Sequence, residues 1–411
     1  MTDIPGQSPL TRSKTDWTSW LQLVFSVIVF IALVGMGLLV LVSPVLSSLP
    51  GQTGGLSMDS MVLIMGFSML ALALFPLLST ITSALQLAGK KQPAWLTGPK
   101  NWLKGLPILV ALLMLLAWFL IGRGANPVWL LSLLTMLCIL LPITWLARVG
   151  SGKEWGNFPK RDAGLLTFSI GFSTPLILLV ELILVFILLV VFGFVVAAIP
   201  GLQQVLEQVL TNWAQYAQDP EQLLEALRPL LTNGWVIGLL FFLLSGLAPL
   251  VEELLKTLGV WFLKNQAITP AQGFVAGVMS GAGFALVEGL FNATQALSGS
   301  SGADWLFLIL GRFGGSLLHI FNGGLMGWAL AKTWQDRKVW RVVGIFALVF
   351  VLHGVWNAFA LAAGVFPFLQ GGLESTSWYY LPLGVIFVVV LAAFLAVSRR
   401  LTGGSKVREL L

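Results

Sequence analysis

Long apolar runs separated by short polar stretches organise the chain. Residues 21–42 read LQLVFSVIVFIALVGMGLLVLV, with no ionisable side chain among them. About 20 such residues in a helix cross the roughly 30 Å hydrocarbon core of a bilayer. The pattern predicts ten spans, near residues 20–42, 60–83, 105–122, 128–147, 168–198, 235–263, 273–296, 305–331, 342–363 and 379–398. Pro, Gly, Ser and charge clusters break the runs, as loops require. Trp17, Trp102, Trp129, Trp235, Trp305, Trp334 and Trp378 stand near span edges, where an amphipathic ring favours the interface. The fold class expected is therefore all-α, a polytopic membrane protein of about ten transmembrane helices. An outer-membrane barrel would show short alternating strands instead. The first run is too long for a cleaved signal peptide and lacks a clear small-residue cleavage site.

Composition agrees. Apolar residues make up 57% of the 411 and charged residues only 10%, against about 25% charged in ordinary soluble domains. That excludes a soluble enzyme, a disordered chain and a conventional nucleic-acid binder. The net charge of +6 is explained by topology. Arg12 and Lys14, Lys90, Lys91, Lys100 and Lys104, Arg148, Lys153, Lys160 and Arg161, Lys264, Lys332, Arg337, Lys338 and Arg341, and Arg399, Arg400, Lys406 and Arg408 all fall on one side of a ten-span arrangement. The other side receives Arg123 and Arg228. The positive-inside rule then places both termini in the cytoplasm, and the expected location is a bacterial plasma membrane. The single cysteine, Cys138, lies in an apolar run and reads as core. Residues 199–234 form the longest external loop. Leucines at helical spacing there suggest an amphipathic helix at the outer interface, with a solvated cap as the alternative.

The ionisable residues inside the spans change the picture. Of the 17 acidic residues, Glu181, Glu252, Glu253 and Glu288 are intramembrane, as are Lys256, Arg312 and both histidines of the chain, His319 and His353. Each charge at the bilayer centre costs about 2.5–3.5 kcal/mol on the insertion scale. Such groups are expected to share a polar cavity. Lys256 is four residues from Glu252 and three from Glu253, so it can pair with either. Pro249 just before them should kink or restart the helix. His353 and Asn357 share a helix face, as do Arg312 and His319. Gly273, Gly277 and Gly281, with Gly323 and Gly327, are spaced for close backbone approach. Ser280 and Ser316 read as packing residues, and Glu181 as a lone carboxyl, protonated or facing a neighbour.

At these residues the chain resembles the PrsW family of intramembrane proteases, which is related to the CAAX prenyl-protease/Abi superfamily. The matching pieces are VEELLK at 251–256, GFALVEGL at 283–290, RFGGSLLHIFNGGLMG at 312–327 and LHGVWN at 352–357. The resemblance implies a catalytic four-helix core and hydrolysis of peptide bonds in membrane-anchored proteins. It implies Glu252 or Glu253 as general base, the other held by Lys256, and His319 positioning water or donating a proton. His353 and Asn357 would stabilise the oxyanion, Glu288 would complete a water or cation site, and Arg312 would orient a carboxylate or the substrate backbone. A Zn2+ site built from His319, His353 and Glu288 and a metal-free mechanism both remain open. The organisation expected is an N-terminal transmembrane region over 1–234, the catalytic core over 235–363, and a final span with a basic tail over 364–411. The implied partners are a membrane-protein substrate and the lipid bilayer, with no nucleic acid. The competing class is a proton- or cation-coupled transporter using the same cluster. A third is a non-catalytic, immunity-type membrane protein.

Overall fold

The computed structural model describes residues 17–47, 60–93, 104–124, 127–154, 157, 159–216, 219–297, 301–369 and 380–403. Among these, helices account for nearly every element and no strand occurs. The longer ones are α1 (Trp17–Ser47), α2 (Ser60–Leu87), α3 (Leu106–Gly122), α4 (Val128–Ser151), α5 (Pro159–Phe168) and α6 (Thr174–Ala198). Then come α7 (Pro200–Thr211), α8 (Pro220–Leu231), α9 (Gly234–Phe241) and α10 (Ala248–Leu255). The last four are α11 (Pro270–Asn292), α12 (Gly302–Asp336), α13 (Trp340–Leu369) and α14 (Leu381–Thr402). Arg12, Lys14, Lys100, Lys406, Arg408, Trp102 and Trp378 lie outside the described residues.

Nine described segments are long and apolar enough to cross a membrane, so the chain is an all-α polytopic membrane protein. The remaining expected span is α3, a shorter apolar helix of 17 residues. At 1.5 Å per residue it rises about 25 Å, close to the hydrocarbon thickness.

Two of the crossing segments are not regular helices. A π-turn at Ser169–Ser173 joins α5 to α6, and another at Phe242–Leu247 joins α9 to α10. Each is followed by a proline in the first turn of the next helix, Pro175 and Pro249. A proline has no N–H to give to the preceding turn. The ladder widens there, and the N–H of Ala248 reaches back five residues to the Leu243 carbonyl. The carbonyl of Leu244 would then need the missing N–H of Pro249. The Asn357 side chain on α13 donates to it instead, at 2.8 Å. The expected break at Pro249 thus takes the form of a π-turn tied to a neighbouring helix.

The centre of the molecule is the α11–α12 pair. A Cβ added to Gly277 would strike the Gly323 carbonyl, one on Gly273 the Gly327 carbonyl, and one on Gly281 the His319 carbonyl. The two backbones touch, as small-residue spacing allows. The surrounding core draws Ile64 and Leu72 from α2, Ile139 and Ile143 from α4, and Phe394 from α14. Trp305, read from the sequence as an interfacial ring, is instead buried and donates to Thr135 Oγ1 at 2.9 Å. Among the described residues the 199–234 loop contains two longer helices, α7 and α8, with a single helical turn at Trp213–Tyr216 between them. Leu202 and Leu230 from them pack with Val196 and Val236 in a small separate cluster.

Candidate active site

The intramembrane ionisable residues converge. Glu252 and Glu253 leave α10 on its buried side, and Lys256 caps that helix. Glu288 comes from α11, Arg312 and His319 from α12, and His353 from α13. Lys256 is fully buried, as is Glu253.

Glu253 is the anchor. Its Oε1 accepts from Lys256 Nζ at 2.6 Å, from His353 Nδ1 at 2.9 Å and from Asn322 Nδ2 at 3.0 Å. A carboxylate with three donors on one oxygen is held in place and its charge is compensated. Lys256 also meets His319 Nδ1 at 3.2 Å, and its backbone carbonyl accepts from Ser280 Oγ. Phe284 lies edge-on to His319, with centroids 4.8 Å apart.

Each imidazole is fixed through one nitrogen. His319 Nε2 is 2.8 Å from Glu288 Oε2, and His353 Nδ1 is 2.9 Å from Glu253 Oε1. A carboxylate partner takes an N–H, so these contacts assign the tautomer of a neutral ring. The other nitrogens, His319 Nδ1 and His353 Nε2, then carry lone pairs. Both face Glu252 Oε2, each at 3.8 Å. That oxygen is buried and has no hydrogen-bond partner. Glu252 Oε2 and His353 Nε2 therefore face one another as unsaturated acceptors, with His319 Nδ1 beside them shared with Lys256 Nζ, which leaves room for a proton donor or a cation among them.

This arrangement fits a divalent metal. Ligand atoms of Glu252, His319 and His353 lie within 4.8 Å of one another. Each imidazole is backed by a carboxylate on its far nitrogen, the usual support of a metal-binding histidine. The carboxylate in this set is Glu252. Glu288, expected from the sequence as a ligand, stands behind His319 and is itself held by Arg312 Nη1 at 2.9 Å. A metal would have to displace the Lys256 contact on His319 Nδ1, leaving Lys256 with Glu253.

Two further residues alter the expected picture. Asn357 reaches the Leu244 carbonyl, so its amide braces the π-turn that precedes the glutamates. The amide bonded within the cluster is Asn322, which also donates to the Val349 carbonyl at 3.2 Å. It lies three residues after His319 in the 312–327 stretch, a position on the same helix face. Glu181, a lone carboxyl in the sequence, faces a neighbour in the fold: α6 packs against α10 and brings it close to Glu252.

Fold and site together define an integral membrane protein with a buried carboxylate–imidazole centre. Residues 180–395 match the PrsW family intramembrane metalloprotease profile. That stretch covers more than half of the chain and every residue of the centre, and the chain belongs to this family of membrane proteases. A search of curated proteins and one of solved structures found no match.

Proposed function

We propose that the chain is an endopeptidase that cleaves membrane-embedded segments of other proteins with a water held among Glu252, His319 and His353. The observation carrying this reading is the unpartnered Glu252 Oε2, which faces the two lone-pair nitrogens. Amide hydrolysis requires a base for the attacking water and a proton for the leaving amine. Glu252 is the base: its free oxygen takes a proton from the water as the water's oxygen bonds to the carbonyl carbon, then gives that proton to the amide nitrogen as the C–N bond breaks and the amine leaves. His353 accepts a hydrogen bond from the water through Nε2, and His319 does so through Nδ1 once Lys256 turns wholly to Glu253. Glu288 and Glu253 hold those rings in the tautomers this requires. Lys256 and Asn322 act as positioning residues through Glu253. Glu252, His319 and His353 would be the residues to hold a divalent ion, which would supply acidification of the attacking water.

In this reading residues 235–363 form the catalytic region and 1–234 the scaffold beside it. Glu181 is the contribution from that scaffold. Residues 364–411 add the last span and a basic tail, and both termini lie in the cytoplasm of a bacterial plasma membrane. A transporter would move protons or cations through the same cluster. The family match and the concentration of polar residues in one half of the chain favour hydrolysis.

The test is purified protein in detergent with a library of transmembrane peptides. Cleavage by the wild type, and its loss in His319→Ala and His353→Ala, is expected. Equal cleavage by all three refutes the site. Proton uptake into liposomes that depends on these histidines, without cleavage, assigns the cluster to transport. Chelation followed by zinc restoration, with the metal content of wild type and His353→Ala measured in parallel, decides whether the ion takes part.

A further inference from the structure

Outside the hydrogen-bonded cluster, but touching it, a cavity of about 610 Å³ lies between α12, α13 and α14. That is within the size range of ligand sites. Two aromatic pairs bracket it. Phe307 stacks on Tyr380 with centroids 5.0 Å apart, and Phe313 meets Phe387 at 5.4 Å. Phe307 and Phe313 are six residues apart, so the pairs are separated by about 9 Å along α12. Between them, Gly311 on α12 and Gly384 on α14 line the void. A Cβ built on either glycine meets no atom within 4 Å. The room between the aromatic pairs exists because these two positions carry no side chain.

The inner wall is polar. Arg312 lines the cavity, gives one N–H to Glu288, and Glu288 in turn holds His319. A guanidinium has five N–H donors, so Arg312 has others to offer an occupant. Arg312 lies ten residues into α12, about 15 Å from the start of that helix. An acyl chain offers only methylene groups at such depth. A peptide residue offers both things the cavity asks for: a backbone carbonyl for Arg312 and an apolar side chain for the aromatic walls. In lipid that carbonyl needs a donor once its helix is opened for cleavage.

We propose that this cavity is the specificity pocket of the peptidase, taking a large apolar side chain of the membrane-embedded substrate beside the scissile bond, with Arg312 holding the adjoining carbonyl and Gly311 and Gly384 setting the pocket's size. The proposal rests on the peptidase reading above and names the substrate feature which that site selects.

The experiment compares wild type, Gly384→Phe, Gly384→Val and Gly311→Val on transmembrane peptides that differ at one position beside the cleaved bond. Wild type cleaves peptides with Phe or Leu there in preference to Ala or Gly. Filling the pocket lowers that ratio about tenfold or more, and the valine variants lower it less than Gly384→Phe. The two valine variants, on different helices, keep the test valid if the larger side chain prevents folding. A ratio unchanged in folded, active variants overturns the pocket. So does a co-purifying lipid that wild type retains and the variants lose while the ratio stays put. A wild type that cleaves no peptide removes the peptidase reading itself, and the pocket with it.

Discussion

Two helix pairs in this molecule pack by similar means to different ends. In α1–α2, Gly66 receives the Leu41 side chain and Gly37 meets Leu70. Gln22 Nε2 and Ser26 Oγ both donate to Ser79 Oγ, at 2.9 and 2.7 Å. Neither helix carries an ionisable residue. In α11–α12 glycine meets backbone more closely: a Cβ on Gly277 would overlap the Gly323 carbonyl, where one on Gly66 would stand 3.3 Å from that of Gly37. The polar groups at the α11–α12 contact are Glu288, Arg312 and His319. In the first pair, hydroxyl and amide bonds join two helices in lipid, where the hydrophobic effect offers little to hold helices together. In the second, closer approach brings charged side chains from separate helices within bonding distance. The most apolar stretch of α1 is 17% buried and that of α11 is 83% buried. Adhesion in the first pair is built on lipid-facing helices, whereas the enclosed α11–α12 pair forms the floor against which the centre is assembled. The segments that bring Glu252 and Glu253, and His353, to that floor are 11% and 17% buried over their most apolar stretches, no more than α1.

The sharpest test of this contrast is Glu252→Gln. The free oxygen of Glu252 has no hydrogen bond to lose, so the fold should persist with little change in Tm. Peptide cleavage should fall by about 10³-fold or more, since the base is gone. A variant that still cleaves at a comparable rate would remove Glu252 as the base of the centre that the α11–α12 pair supports.

Next in size is Glu253→Gln. It weakens the anchor for Lys256, His353 and Asn322 and leaves a buried ammonium without its carboxylate, at a cost of about 3–5 kcal/mol. Adding Lys256→Met should recover most of that stability in detergent unfolding, and none of the activity. Recovery of both would mean that the ion pair does no more for the site than hold helices together.

A smaller effect separates the two kinds of glycine contact. Gly277→Ala sets a methyl against the Gly323 carbonyl, and neither backbone can yield without moving His319's helix. Gly66→Ala meets the Leu41 side chain, which can rotate away. The first substitution should cost about 1–3 kcal/mol and lower activity with it. The second should cost less and leave cleavage unchanged. Paired unfolding and cleavage measurements check both.

The spans were legible because an uncharged apolar run of bilayer length is stable in lipid and exposes too much apolar surface to water. The site was legible because ionisable groups inside those runs are too costly to be incidental. What escaped depends on neighbours that no single helix reveals. Glu252 and Glu253 are adjacent and point about 100° apart on a helix. Their spacing to Lys256 allows either pairing, and only α12 and α13 decide it by supplying Asn322 and His353 to Glu253. Asn357 shares a face with His353, but the carbonyl it satisfies is exposed by a proline on another helix. Glu181 looked isolated because its partner lies 71 positions away. Trp305 sits at a helix start, and burial against Thr135 is a property of the bundle.

Ser79→Ala is the mildest test. Ser79 Oγ accepts two donors, but Gln22 keeps a second acceptor in the Lys160 carbonyl at 2.8 Å. Interhelical hydrogen bonds in membranes average about 0.6 kcal/mol, since the separated helices find other partners. The expected loss is of that order, visible as a small shift in detergent unfolding and invisible in cleavage. A loss of activity out of proportion to it would show that α1–α2 transmits strain to the centre. The path for that exists: Gln22 donates to the Lys160 carbonyl in the first turn of α5, and α5 runs through a π-turn into α6, the helix carrying Glu181. Unchanged cleavage would leave the first pair as a brace that the reaction does not feel.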